Sequence, residues 1–544
     1  MFHPKIIFRI IGMLLFIEAL FLCGSIFVAL YYNEVVVRSL LISVGVMVGT
    51  GALLTNICRG TERNLSRKDG YIVVSLCWIV FSLFGSLPYM LSGYIPSFTD
   101  AFFETISGFT TTGATILRDI EALPKSLLFW RMMTHWVGGL GIVFFTVAVF
   151  PIFGLGDINL FAAESVGPMR TKLHPRISVT ARWILVIYVG LTVIAAIALY
   201  LAGMGRFDAI CHSMSTIATG GFSTKQDSIA SFNSPAIEYV TALFMFLGGT
   251  NLSLLYMFIF KARPKMLLRD TEFKTYLSIV AAFTVAIFFG LYYTTSLGVE
   301  GAFRSSLFQV VSVITTTGYA STNYVLWIPI LWLLLCGLMF VGACSGSTSG
   351  AMKCVRISIL FRVMVNEFKR IVHPNAVIPV RMAGKIVPSN VQSAILAYTV
   401  IYIFMLIVGL MVNTGFGLDF IDAFGLSVSS VGNVGPALGH YGPMDSFASL
   451  PAFVKWFSAF QMLVGRLEFF AVLLLLEKWI PALQKLPAVL RHGYVLLAVV
   501  ISFVLFNAES FAQAGGDLAG MFGFEKKAFF QASDNAQNVP SVEF

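Results

Sequence analysis

Residues 103 to 115 read FETISGFTTTGAT and residues 308 to 320 read FQVVSVITTTGYA, and the two stretches align without a gap. Working outward, residues 211 to 223, CHSMSTIATGGFS, keep the serine of the first two (Ser107, Ser215, Ser312). Residues 425 to 437, GLSVSSVGNVGPA, match more loosely. The alignment sets Gly113, Gly221, Gly318 and Gly435 in register at spacings of 108, 97 and 117 residues. A second register follows it: VGG at 137 to 139, LGG at 247 to 249, VGA at 341 to 343 and VGR at 464 to 466, lying 25, 27, 24 and 30 residues beyond the respective loop glycines. One unit repeated four times fixes the architecture more firmly than any single motif.

The surroundings of each unit are apolar. The 544 residues are 57% hydrophobic and 12% charged, which excludes an ordinary soluble protein. Apolar blocks near 6–32, 35–57, 71–94, 132–156, 183–204, 237–260, 275–298, 325–342, 391–414, 453–476 and 493–508 are close to the length that crosses a bilayer. The net charge of +9 is gathered in five short loops, around Arg59 to Lys68, Arg170 to Arg182, Lys261 to Lys274, Lys353 to Lys385 and Lys478 to Arg491. By the positive-inside rule these loops and the N-terminus are cytoplasmic, and no basic face suited to nucleic acid remains. Seven cysteines without a CxxC pair give neither a zinc site nor a disulfide framework.

The expected fold is an all-α polytopic membrane protein with four pseudo-repeats of span, pore helix, filter loop and span around one pore. Two N-terminal spans (1–70) precede repeats at 71–156, 157–262, 263–385 and 386–490, and 491–544 is read as an atypical apolar segment, an additional short span or interfacial helix, with a polar tail. Asp100, Asp208 and Asp422 stand 13 residues before their glycines, with Ser305 in the third unit, and are expected to cap the short helices. A helix that ends halfway across the membrane points its negative dipole end, and then a row of carbonyls, at the axis. Glycine permits the positive φ that turns successive carbonyls inward, and four such turns can replace the hydration shell of an alkali ion. A single TTTG is explained by close helix packing; four in register on one side of the membrane are not.

These motifs, TTTGAT at 110–115, IATGGFS at 217–223, TTTGYAS at 315–321, GNVGP at 432–436 and GACSGSTSG at 342–350, resemble the Trk/Ktr/HKT superfamily of potassium transporters, and within it the bacterial TrkH/TrkG branch. The resemblance covers roughly residues 1 to 490. It implies potassium uptake, passive or by symport, across the cytoplasmic (inner) membrane of a bacterium. The implied selectivity filter is Thr111, Thr112 and Gly113; Thr219, Gly220 and Gly221; Thr316, Thr317 and Gly318; and Asn433, Val434 and Gly435. It further implies a homodimer, a TrkA-like cytoplasmic nucleotide-binding regulatory subunit, no enzyme activity, and no bound cofactor beyond the transported K+. Gly113, often Ser in sodium-conducting relatives, implies preference for potassium.

Three glycines and four Ser or Thr within 342–350 cannot hold a helix well, and unwound backbone at that depth must line a cavity or be buried in protein. The resemblance makes this stretch a mobile gate beneath the filter. Gly342, Gly346 and Gly350 are expected to give it freedom, and Ser345, Ser347 and Thr348 to satisfy its backbone; Lys353 at the loop's end is counted with the gate, although snorkelling to the cytoplasm also explains it. Arg466 would cost about 2.5 to 3.5 kcal/mol facing lipid, so it is expected to face the bundle with Glu468 as partner, beside the gating loop. His135 and Trp136 read as helix packing near an interface, and His212 as a local hydrogen bonder. The segment 491–524 looks somewhat like the C-terminal end of membrane-bound O-acyltransferases, a competing class for which the seven histidines form no catalytic constellation.

Overall fold

The computed structural model describes residues 4–59, 67–141, 177–261, 264–382 and 385–469. By its contacts the chain divides into a unit of Met1–Leu450 with Val454–Leu474 and a second of Pro451–Phe453 with Leu475–Phe544. The account below is of the first; apart from Pro451–Phe453, which form the start of a helix, the second lies outside the described residues, as does the O-acyltransferase-like segment. The helices are α1 (Pro4–Tyr31), α2 (Val37–Ile57), α3 (Arg67–Gly85), α4 (Leu87–Leu91), α5 (Phe98–Phe109), α6 (Lys125–Leu140), α7 (Ile177–Leu201), α8 (Arg206–Ile217), α9 (Pro235–Gly248), α10 (Leu252–Ile259), α11 (Pro264–Arg269), α12 (Thr271–Thr294), α13 (Val299–Ile314), α14 (Pro329–Met339), α15 (Cys354–Val372), α16 (Ser389–Gly415), α17 (Phe420–Gly432) and α18 (Ala452–Arg466). Four two-residue strands qualify the all-α expectation: Val341–Gly342 pairs in parallel with Met352–Lys353, and Arg381–Met382 antiparallel with Lys385–Ile386.

Among the described residues six helices are long and apolar enough to cross a membrane: Lys5–Tyr31, Val37–Ile57, Ile72–Leu91, Arg182–Leu201, Thr271–Thr294 and Ser389–Gly415. The chain is a multi-span helical membrane protein. Several other apolar blocks do not form continuous spans. Block 237–260 breaks into α9 and α10, bent by 103°, and block 325–342 yields only the 11-residue α14. In blocks 132–156 and 453–476 the helices α6 and α18 stop at Leu140 and Arg466, and the later parts of both lie largely outside the described residues. All four helices therefore end beside the glycines of the second register.

The reason is steric. A Cβ on Gly138 would overlap the carbonyl oxygen of Phe109, the last residue of α5, and one on Gly465 would overlap that of Val431 near the end of α17. At Gly248 the Ile217 carbonyl at the end of α8 would lie 3.2 Å away. These glycines let the first, second and fourth short helices plant their C-terminal ends on the neighbouring backbone, whereas Gly342 lies against the Gly350 carbonyl. Beyond the break α10 folds back, and its Leu252, Leu255 and Tyr256 bury against Ile184, Ile187 and Tyr188 of α7.

The N-termini of the short helices differ from expectation. Ser97 caps α5 by accepting from the Asp100 N–H at 3.4 Å, and Asp100, Asp208 and Asp422 lie within the first helical turn. There they favour the positive dipole end and tie distant chain: Asp100 takes Lys455 at 2.6 Å, Asp208 takes the Thr224 hydroxyl at 2.7 Å, and Asp422 takes His440 at 2.9 Å. Ser305 is well inside α13, whose cap position is Gly298.

Overpacking one of these glycine contacts costs roughly 1 to 3 kcal/mol. Gly138→Ala is thus expected to lower the thermal unfolding temperature in detergent. Gly190→Ala, with open space around it on α7, is expected to leave it level or raise it. Equal behaviour of the two variants would show that the helix-end contact is not what holds the bundle.

Candidate functional site

Each short helix ends in the same backbone turn. Thr111, Thr219, Thr316 and Asn433 adopt left-handed φ of 52°, 52°, 55° and 54°, and two residues on Gly113, Gly221, Gly318 and Gly435 have φ of 83°, 85°, 77° and 100°. Between them the N–H of Thr112, Gly220, Thr317 and Val434 donates to the carbonyl of Ser107, Ser215, Ser312 and Ser429 at 2.9, 2.9, 2.9 and 3.0 Å. This six-to-one bond with a left-handed residue is the Schellman ending of a helix. The serine register found in the sequence is therefore the register of the accepting carbonyl.

The four turns close into a ring. A Cβ on Gly113 would overlap the Gly220 carbonyl oxygen, one on Gly221 that of Thr317, and one on Gly318 that of Val434. One on Gly435 would lie 2.5 Å from the carbonyl oxygen of Thr112. Each glycine thus lies against the carbonyl that precedes the next glycine, in the order first, second, third, fourth and back to first. Both candidate glycines of the second unit belong to its turn: Gly221 holds the positive φ, and Gly220 supplies the carbonyl. A cavity beyond the ring is lined by Gly113, Gly221, Gly318 and Pro436 together with Arg131 and Lys225.

What backs the ring differs from turn to turn. Thr110 and Thr112 share a hydroxyl hydrogen bond of 2.8 Å, repeated by Thr315 and Thr317 at 2.7 Å. The fourth turn, without threonines, uses the Asn433 amide, which donates to the Thr112 hydroxyl at 2.9 Å and the Met462 carbonyl at 2.8 Å. His135 is buried behind the second turn rather than near an interface: Nδ1 lies 3.0 Å from the Ser215 hydroxyl, and its ring stacks on Phe222 at 4.0 Å. His212 bonds locally, to the Asp208 carbonyl at 2.8 Å and the Ser223 hydroxyl at 3.0 Å.

Sequence reading missed the buried pair Glu104 and Arg131. Nε of Arg131 donates to Glu104 at 2.5 Å, and its Nη1 donates to the Ser223 carbonyl at 2.8 Å. Glu104 also accepts from the Ile116 N–H at 2.9 Å and the Thr115 hydroxyl at 3.0 Å. The guanidinium covers the Phe222 ring at 3.6 Å. One ion pair thereby holds the chain leaving the first turn and the chain leaving the second. The signal available was two opposite charges in adjacent apolar elements 27 residues apart.

On the other side of the ring lies 342–350. Thr348 donates to the Ile217 carbonyl at 3.0 Å and the Gly248 carbonyl at 3.2 Å, and accepts from the Thr219 hydroxyl at 3.1 Å. The Gly350 N–H donates to the Thr316 hydroxyl at 2.7 Å, and a Cβ on Gly350 would stand 2.9 Å from that of Asn433. The loop thus touches the left-handed residues of turns two, three and four. Ser347 satisfies the loop's own Cys344 carbonyl at 2.6 Å, whereas Ser345 contributes its N–H to Glu272 at 2.5 Å. Gly346 carries the positive φ, 74°, while Gly342 lies hard against the Gly350 carbonyl, so two of the three glycines serve close packing. Lys353 does not snorkel: it is buried and folds back onto the Ser349 carbonyl and hydroxyl. Arg466 faces the bundle, donating to the Thr348 carbonyl and the Gly138 carbonyl, both at 2.8 Å. Glu468, its expected partner, pairs with Arg356.

Four half-membrane helices aiming their carbonyl ends at a common ring, inside a multi-span bundle, define a cation transport protein. The profile of the TrkH family of cation transport proteins matches residues 41–484. The chain is 38% identical over 476 residues to the Trk system potassium uptake protein TrkH of Salmonella typhimurium, covering 86% of this chain and 97% of that one. It is 33% identical over 474 residues to TrkG of Escherichia coli, covering 86% and 96%. The crystal structure of the potassium transporter TrkH from Vibrio parahaemolyticus matches with a TM-score of 0.79 at 35% identity, over 87% of this chain and 98% of that one. The chain belongs to the TrkH family; it is a transport protein and not an enzyme, and the O-acyltransferase alternative falls.

Removing one member of a buried ion pair costs about 3 to 5 kcal/mol, while replacing both by apolar groups costs far less. Arg131→Met is expected to destabilise the folded protein by an amount in that range, and Glu104→Met/Arg131→Met to recover much of it. Additive losses in unfolding experiments would show that the two side chains act independently.

Proposed function

We propose that this protein is the membrane subunit of a Trk-type potassium uptake system in the cytoplasmic membrane of a bacterium. Potassium sheds its water within the ring and is held by the carbonyls of Thr111, Thr112 and Gly113; Thr219, Gly220 and Gly221; Thr316, Thr317 and Gly318; and Asn433, Val434 and Gly435. The observation that carries the reading is the cyclic contact of each glycine with its neighbour's carbonyl, because rigidly placed backbone dipoles are what an alkali ion needs in place of water. Relatives named as potassium uptake proteins support the choice of ion.

In this reading residues 342–350, with Lys353 and Arg466, form the gate, for they meet the inner side of three of the four turns. The working assembly is a homodimer whose basic cytoplasmic loops dock a TrkA-like nucleotide-binding subunit, since this sequence carries no phosphate-binding glycine motif of its own. The repeat boundaries 71–156, 157–262, 263–385 and 386–490 belong to the same proposal, each repeat contributing one turn.

Rubidium and sodium flux into liposomes holding the purified protein tests the filter. Native protein is expected to pass rubidium, with inhibition by potassium. Gly113→Ser, whose Cβ enters the Gly220 carbonyl, is expected to cut the preference over sodium about tenfold, equivalent to about 1.4 kcal/mol. Sodium passing native protein as readily as rubidium would overturn the potassium assignment; silence of native protein calls for the same assay with the cytoplasmic subunit added. For the gate, deleting Ser345 to Ser347 is expected to raise rubidium leak without the partner, and unchanged flux in a folded variant would remove the loop from that role.

A further inference from the structure

Glu18 is placed where a carboxylate cannot remain charged without help. It lies mid-way along the apolar span Lys5–Tyr31, it is 2% exposed, and among the described residues neither carboxyl oxygen has a hydrogen-bond partner. An isolated charge at that depth is among the most costly groups a membrane protein can hold, and an acid so placed keeps its proton.

The ionisable groups on neighbouring elements are engaged elsewhere. On α6, Lys125 lies over the Tyr32 ring, Arg131 is bound to Glu104 of α5, and His135 faces Ser215. Arg38 of α2 is exposed. Arg67, Lys68 and Asp69 stand at the far end of α3 from Gly85.

The position of the acid matters as much as its isolation. At Gly85 of α3 an added Cβ would find Glu18 Oε1 at 3.0 Å and, at 2.9 Å each, Thr105 and the Phe109 ring of the first short helix. Glu18 thus fills the crevice where α3 meets the back of the helix that carries the first filter turn. On the same face of α3, two turns earlier, Trp78 has Arg466 over its ring at 5.8 Å.

We propose that Glu18 is a membrane-embedded proton-binding site, and that its proton keeps the first pore helix seated. The ligand is a proton alone. Loss of it leaves a carboxylate that needs water or a displaced α1, and either change disturbs the packing of Thr105 and Phe109. Only the transport half of the test rests on the potassium reading; the spectroscopic half does not.

Infrared spectra of the reconstituted protein test the site directly. Native protein at neutral pH is expected to show the C=O stretch of a protonated carboxyl group that is missing from Glu18→Gln, or from Glu18→Met should the first variant fail to insert. Rubidium flux tests the consequence. Native flux is expected to fall at least about twofold once alkaline solution removes the proton, while Glu18→Gln, permanently neutral, stays flat. Absence of the infrared band, or superposable flux profiles for native and Glu18→Gln, overturns the proposal.

Discussion

At four points in this protein a carbonyl oxygen occupies the space where a side chain would begin. The glycines at 113, 221, 318 and 435 accept that oxygen because they have no Cβ, and the ring closes only because all four do. The constraint reaches outward. For the turns to meet, each short helix must end at one depth, and in the first, second and fourth units its end is supported by a glycine of the following helix. The second glycine register is therefore a packing consequence of the first. The break at Gly248 follows as well: once α9 stops at that level, α10 turns away by 103°.

A ring of inward-turned peptide dipoles carries strain. A non-glycine residue in the left-handed region costs of order 1 to 3 kcal/mol, and Thr111, Thr219 and Thr316 all sit there. The cost is offset locally by the six-to-one hydrogen bond that closes each helix, and sideways by contacts that differ around the ring. Turn one leans on Glu104 and Arg131, and turn two on His135. Turn three reaches across through Tyr319, whose hydroxyl approaches the Phe222 carbonyl at 3.3 Å. Turn four uses the Asn433 amide. Asparagine tolerates the left-handed region better than threonine, so the residue that weakens the sequence repeat strengthens the backbone one. A fourfold backbone is thus built on side chains with no fourfold symmetry, which leaves each quadrant separately tunable.

The four turns were legible because glycine at positive φ leaves few alternatives and recurs at similar spacing. The helix breaks were less so. Hydropathy reports how apolar a stretch is and says nothing of its direction, so 237–260 reads as one span although it bends by 103°. Only the third break, rich in Ser and Gly, announced itself through composition. Polar partners were the least legible. Glu104 and Arg131 are far from each other in sequence, as are Arg356 and Glu468, and such pairs are chosen by tertiary packing. The assignment of Glu468 to Arg466 followed nearness along the chain, whereas the side chains separate to opposite tasks. Glu18 escaped notice because one acid in a long apolar run resembles an interfacial residue until its burial is known.

The energetics of the loop beneath the ring bear on how such a gate can work. Among the described residues its hydrogen bonds to the surroundings include Thr348 to Ile217, Gly248 and Thr219, Gly350 to Thr316, Arg466 to Thr348, Ser345 to Glu272, Gly346 to Leu252, Cys344 to Gly249, Ala343 to Cys354, and Ser349 to Lys353. Each ordinary hydrogen bond contributes about 0.5 to 1.5 kcal/mol net, so releasing the segment costs several kcal/mol rather than tens. Turning a two-state equilibrium from one-in-a-hundred to its inverse takes about 5.5 kcal/mol, a comparable quantity. In the proposed system, a cytoplasmic partner that favours the released state by that amount would open the path without touching the ring. Arg466 binds the Thr348 carbonyl and the Gly138 carbonyl together. Only the Thr348 carbonyl belongs to the loop, so a displacement of the loop removes one acceptor and leaves the guanidinium on the Gly138 carbonyl.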